Sequence, residues 1–237
     1  MFKLYIFIFL LIHTAVSAQQ NLINVPSSEV TEKNKIFFQQ QINFNELIQS
    51  NTTVDFGLGK GFECGINVLG LNFSQKKRSF LHNDSSDTDP YNPLIMINSL
   101  KQFSLSEKVK LSVGMQGGIN YKLDDYTKEA YLLYSNLMIR DILIKKSEII
   151  GGVYYNSKHY GGSGERLSVW MGMEVPLLNK FHFMAESVLG NNALSYTSLG
   201  FIYYSKPFLP LTFGFQIPNT SRNSYSFVFE LTYVPTK

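Results

Sequence analysis

From Ile36 to the end of the chain, apolar and polar residues alternate with a period of two. The last segment is the clearest. Tyr225, Phe227, Phe229, Leu231 and Tyr233 share one face, and Ser226, Val228, Glu230 and Thr232 take the other. Val109, Leu111, Val113, Met115, Ile119 and Tyr121 oppose Lys110, Ser112, Gly114, Gln116, Gly118 and Asn120. Leu211, Phe213, Phe215 and Ile217 oppose Thr212, Gly214 and Gln216, and near the start Ile36, Phe38, Ile42 and Phe44 oppose Phe37, Gln39, Gln41 and Asn43. This period is that of a β-strand with two unlike faces. The second faces are small, glycine-rich and polar. A soluble sandwich also alternates in this way, so the number of segments matters. About a dozen follow one another with hardly a helical stretch between, each near the roughly 9–11 residues that a tilted spanning strand needs.

The connections carry a second signal. Very short ones fall at Gly59-Lys60-Gly61, Ser106-Glu107-Lys108, Lys145-Lys146-Ser147, Leu178-Asn179-Lys180 and Lys206-Pro207. Between them lie others, several longer: Ser74 to Tyr91, Lys122 to Lys128, Ser157 to Glu165, Gly190 to Ala193 and Asn219 to Asn223. Tight turns at one rim and longer loops at the other are the pattern of outer-membrane barrels. The expectation is an all-β fold, an antiparallel transmembrane β-barrel of about twelve strands over residues 35–237. An even strand count leaves both termini on the periplasmic side.

The stretch FGLGKGFECG superficially suggests a phosphate-binding loop. A P-loop needs four residues between its glycines and then Lys-Ser/Thr opening a helix. Here Gly61 and Phe62 follow Lys60, and Phe62, Cys64, Ile66 and Val68 resume the apolar alternation of Val54, Phe56 and Leu58. The stretch reads as a hairpin whose glycines permit the turn and leave room inside a barrel.

The N-terminus, MFKLYIFIFLLIHTAVSAQQ, has the layout of a cleaved secretory signal. Lys3 supplies the charge, Leu4 to Ile12 the apolar run, and Val16 and Ala18 the small residues before a cut ahead of Gln19. The run is too short to span a bilayer well. Residues 19–34 are then expected as a short periplasmic segment. No cysteine stands at the cleavage point to take a lipid, and Cys64 is the one cysteine of the chain, so no intrachain disulfide forms.

Composition fits a membrane barrel. Aromatics make up 14%, and charged residues only 16% against roughly 25% in soluble domains. With 21 Lys and Arg, one of them in the leader, against 18 Asp and Glu, and the lysines scattered, nucleic acid is not an expected partner.

On these pieces the chain resembles bacterial outer-membrane β-barrel proteins, in particular small barrels grouped with outer-membrane transporters. The resemblance rests on the signal ending SAQ, the strand KIFFQQQINF, the hairpin DFGLGKGFECGINVLG, the turns LSEKVKL and LNKFHF, and the final strand SYSFVFELTY. It implies a location in the outer membrane, lipid as surroundings, and insertion by the barrel-assembly machinery. The chain departs from the pattern by ending in Val-Pro-Thr-Lys rather than a terminal aromatic.

Charges facing lipid at the midplane cost about 2–4 kcal/mol for Arg or Lys and less for Asp or Glu. That places Asp55, Glu63, Lys110, Arg140, Glu174, Glu186 and Glu230 inside, and Gln116 lies on the same polar face of its strand. These eight are the candidate lumen-lining residues. They form either a polar passage favouring cations or hydroxylated solutes, or a hydrogen-bonded plug of carboxylates, Lys110, Arg140 and glutamines. No cofactor or metal is expected. The acidic run from Asn83 to Asp89 lacks the glycine and distal glutamate of an EF-hand loop. It reads as a solvated loop tip beside Lys76, Lys77 and Arg78. His159 and Ser163 are too far apart in sequence for the close His-x-Ser arrangement of barrel lipases, and His182 has no serine placed by sequence, so the chain is not read as an enzyme. The leading function is a passive channel or transporter for small solutes. The alternative is a non-conducting barrel that serves as a structural or assembly partner in the envelope.

Overall fold

In a computed structural model the described residues are 21–86, 88–120 and 129–235. The expected leader and residues 19–20, Asp87, Tyr121, the connection Lys122 to Lys128, and residues 236–237 lie outside them. The strands are β1 (Ile36–Phe44), β2 (Ile48–Gly59), β3 (Phe62–Ser74), β4 (Ser79–Leu81), β5 (Leu94–Ser104), β6 (Val109–Asn120) and β7 (Glu129–Arg140). They continue with β8 (Glu148–Asn156), β9 (Leu167–Leu178), β10 (Phe181–Val188), β11 (Tyr196–Lys206), β12 (Leu209–Pro218) and β13 (Ser226–Tyr233). Among the described residues a single short helix, α1 (Lys158–Gly161), follows β8 and is capped by the Ser157 hydroxyl, which accepts from the Tyr160 N–H.

Every pairing between strands is antiparallel and joins sequence neighbours, apart from β3 with β5 and the closing pair. The ring closes where β1 meets β13, from Phe38 opposite Tyr233 to Phe44 opposite Phe227. β4 only extends the β3 end of the sheet, pairing Asn72 to Ser74 with Ser79 to Leu81. The result is a closed barrel of twelve strands. Closure satisfies the backbone groups that a lipid environment would leave unpaired.

Alternation decides which face meets lipid. Ile97 is 70% exposed and Ile66 56%, whereas Val228, Glu230 and Thr232 of β13 are fully buried. The tight turn after β2 is built as the glycines suggest, with Gly59, Lys60 and Gly61 all at positive φ. One turn is longer than its sequence implies. The connection placed at Lys145-Lys146-Ser147 spans residues 141–147, because the apolar Ile142, Leu143 and Ile144 leave the sheet and stand exposed. Asp141, at φ 55°, starts this turn, and its carboxylate accepts the Lys146 N–H at 2.6 Å. That bond, helped by Lys108 and Arg140, holds the Asp141 carboxyl below its ordinary pKa.

The segment before β1 does not hang beneath the barrel as the expected periplasmic segment would. Residues 21–35 run inside it. At the rim that carries the chain's C-terminal strand end, the Asn34 N–H donates to the Gly57 carbonyl at 2.8 Å and the Gly57 N–H to the Lys35 carbonyl at 3.0 Å. Further in, a small loop folds back on itself, with Asn21 bridged to Pro26 and the Leu22 N–H donating to the Val25 carbonyl. Leu22, Ile23 and Val25 are buried in one cluster with Met138, Ile150, Tyr154, Trp170, Met184, Ile202 and Val228. Burial of each such side chain stabilises by about 1.5–3 kcal/mol.

Candidate solute-binding vestibule

The lumen is divided. Toward β7 to β13 it is filled by the loop of residues 22–25, which packs in an apolar cluster beside buried polar groups such as Glu174, His182 and Glu230. Toward β1 to β6 it is a cavity of about 580 Å³, walled by amides and by apolar side chains such as Leu69, Leu94 and Leu100. The β1–β2 connection, residues 88–92 and residues 222–224 line its mouth, and Asn21, Asn24, Pro26 and Glu29 contribute from the inner segment.

Strand register explains the wall. Inward positions of neighbouring strands fall side by side, so Gln39, Thr53 and Asn67 form one row across β1, β2 and β3. Asn43, Gln49 and Asn72 form another, nearer the mouth. Asn98 ties the first row to Asp55: its amide donates to Asp55 Oδ1 at 2.8 Å and to Asn67 Oδ1 at 2.6 Å. Gln41 donates to Asn43 Oδ1 at 2.8 Å, and Asn21 to Gln39 Oε1 at 2.8 Å. Gln39 Nε2 and Asn72 Oδ1 are buried with no protein partner among the described residues. Tyr160, on α1, donates its hydroxyl to Gln116 Oε1 at 3.3 Å, and burial pushes its phenol well above the ordinary value.

The eight sequence-predicted residues fall into three groups. Asp55, Glu63 and Gln116 line the cavity. Glu63, Lys110, Arg140 and Glu186 hold the inner segment. The Glu186 carboxylate accepts the N–H groups of Ile23, Asn24 and Val25 at 3.0–3.2 Å, with Asn24 Nδ2 at 2.8 Å and Ser198 Oγ at 3.0 Å. Three successive amides converging on one carboxylate make an anion nest within the chain. Glu63 accepts the Thr31 N–H at 2.6 Å. Lys110 grips both oxygens of Glu29 at 2.6 Å, and Arg140 bonds Glu29 while donating to Glu148 at 2.7 Å. Glu174 and Glu230 stand apart from both. Glu174 bonds His182 and the Tyr204 hydroxyl, and Glu230 accepts from Thr232 at 3.2 Å. Asp55, Glu186 and Glu230 therefore do not border one passage.

Several of the segment's attachments have no counterpart in the eight predicted residues. The Asn136 amide donates to the Pro26 carbonyl at 2.6 Å while its oxygen accepts from Trp170 Nε1, and Ser28 meets Ser112 at 3.0 Å. Leu22, Ile23 and Val25, an apolar patch just past the expected leader, were the signal in the sequence. The wall also makes room: a Cβ on Gly172 would stand 2.2 Å from Leu22 Cδ1, and one on Gly214 2.4 Å from Ile23 Cδ1.

The remaining candidates have ordinary duties. His159 Nδ1 bonds the Glu129 carbonyl, and the Ser163 hydroxyl accepts from Arg222. Asp89 accepts from Ser86 at 3.1 Å, and no cluster of metal-ligating side chains occurs among the described residues.

No protein-family model matches the chain, and no curated protein matches it. Solved structures do. The chain is similar to the KdgM porin in complex with disordered oligogalacturonate, with a TM-score of 0.58 at 8% identity over 83% of this chain and 98% of that one. It is similar to the NanC porin, with a TM-score of 0.56 at 10% identity over 84% and 99%. The fold of this chain is that of the outer-membrane porin barrels.

Proposed function

We propose that the protein is an outer-membrane channel for small polar solutes, closed in this conformation by its own N-terminal segment. The observation that carries this reading is that the barrel's hydrogen-bonded ring is complete without residues 21–34. The segment is an insert in the lumen, and a wide, polar cavity opens beside it. The likeness to porin barrels supports the same reading, and the outer membrane as its location. In that orientation the rim with the tight turns faces the periplasm. The oligogalacturonate named with the KdgM porin is a polyanion, and it does not suit a wall whose buried charges are Asp55 and Glu63.

Conductance in a planar bilayer tests the proposal. A chain beginning at Asn34 should conduct steadily, and the chain retaining residues 21–33 rarely or weakly. A shortened barrel that still migrates as a folded, heat-modifiable species yet passes no current would overturn it. That outcome would favour the second reading, a non-conducting structural barrel. The density of attachments between segment and wall supports that alternative.

A further inference from the structure

The amide wall has a chemistry of its own. Four adjacent strands, β1, β2, β3 and β5, present Gln39, Gln41, Gln49, Asn67, Asn72 and Asn98 to the cavity. A carboxamide offers a donor and an acceptor without a charge. A row of them exchanges water for a ligand's hydroxyls without stripping an ion of its hydration, which costs far more. Two of these side chains, Gln39 at 6% exposure and Asn72 at 7%, hold a donor and an acceptor, respectively, without a partner among the described residues. A buried polar atom left in this state is destabilising unless something else supplies the missing bond.

The charges narrow the ligand further. Carboxylates line the cavity at Glu29, Asp55, Glu63, Glu46 and Asp89, against Arg222 at the mouth, and Glu29 is already paired with Lys110 and Arg140. The Arg222 guanidinium is turned to Ser163, donating to its carbonyl at 2.7 Å and its hydroxyl at 2.6 Å. An anion would meet mostly negative charge. A cation would find the two deep carboxylates already engaged, Asp55 by Asn98 and Glu63 by the Thr31 amide. A cavity of about 580 Å³ is in the range that holds a small organic molecule.

We infer that the vestibule binds uncharged, polyhydroxylated solutes, short neutral oligosaccharides, through the carboxamides of β1, β2, β3 and β5. This names the substrate class of the proposed channel, and it rests on that reading for the passage of a bound solute through the barrel.

The test is equilibrium binding, with no current involved. The mature chain is purified in a polyoxyethylene detergent, so that no sugar headgroup competes, and titrated calorimetrically with maltotriose, digalacturonate and spermidine. Trp170, the one tryptophan of the chain, lines the cavity and gives a second, fluorescent readout. Maltotriose should bind saturably, and the anion and the polyamine at least about tenfold more weakly. The Gln39→Met, Asn72→Leu double variant should lose about fivefold in maltotriose affinity while keeping its heat-modifiable migration. Gln102→Met, at the tight-turn end of β5 and outside the cavity lining, serves as the variant that should leave binding unchanged. Tighter binding of digalacturonate or spermidine, no saturable maltotriose binding, or a double variant that binds as the parent does would each overturn the inference. Conductance without maltotriose binding removes the ligand class and leaves the channel. Maltotriose binding by a barrel that never conducts supports the ligand class and removes the channel.

Discussion

Gly57 shows how much can depend on a missing methyl. Its backbone pairs with Asn34 and Lys35, and a Cβ there would stand 2.0 Å from the Glu32 carbonyl oxygen and 2.4 Å from that of Thr31. These are main-chain atoms, so a side-chain rotation cannot relieve the clash. Gly57→Ala should lift residues 31–35 off the wall, read as faster deuterium exchange over that stretch with the strand amides still protected. Gly151, where an added methyl would have nothing within 4 Å, is the matching control, and Gly151→Ala should change neither. Glu186 acts from the opposite wall. Replacing it with Gln turns an NH₂ group toward N–H donors and removes the charge that strengthened their bonds. The hold on the loop of residues 22–25 should weaken by about 3 kcal/mol. More frequent channel openings for Glu186→Gln would show it, and an unchanged opening frequency would assign the closure to the apolar cluster instead.

Among the elements, the strands were legible and the inner segment was not. Lipid favours apolar side chains on one face, so strands such as β6 and β12 declare themselves by parity, and β13 does so over its whole length. The segment has no such constraint. It contributes three buried apolar side chains, one turn and a set of backbone bonds, and none of these repeats. Its ion-pair residue, Glu29, lies outside the strands, where parity says nothing. The sequence placed Lys110 and Arg140 inside the barrel, but their partner was invisible without the fold. The turn of residues 141–147 failed for the opposite reason, since Ile142, Leu143 and Ile144 look like strand and are not. That turn carries its own test. The Asp141 carboxyl is held below its ordinary value by the Lys146 amide, so its contribution is present at neutral pH and is lost only as pH falls through the lowered folded value. The Lys146 amide should keep its exchange protection down to pH values where an ordinary aspartate is already protonated. In Asp141→Ala that protection should be absent throughout.

At the scale of the whole molecule, the barrel has an orientation to be read. Lys60 sits in the tight turn after β2, at the rim opposite the long connection that holds Ser86. In intact cells a cysteine at position 86 should react with an impermeant label, and one at position 60 should not. Equal reaction would reverse or void the outer-membrane topology. The inner segment has one more consequence. It is joined to β1 through Lys35, so toward its own pore it behaves as a tethered ligand. A short tether of this kind sets an effective concentration on the order of millimolar, independent of how dilute the protein is. Opening is then a contest of local concentrations. In the proposed channel a solute would displace the segment once its concentration, relative to its own affinity for the wall, matches that figure relative to the segment's, so abundant or tightly held solutes would open it and scarce, weakly held ones would not.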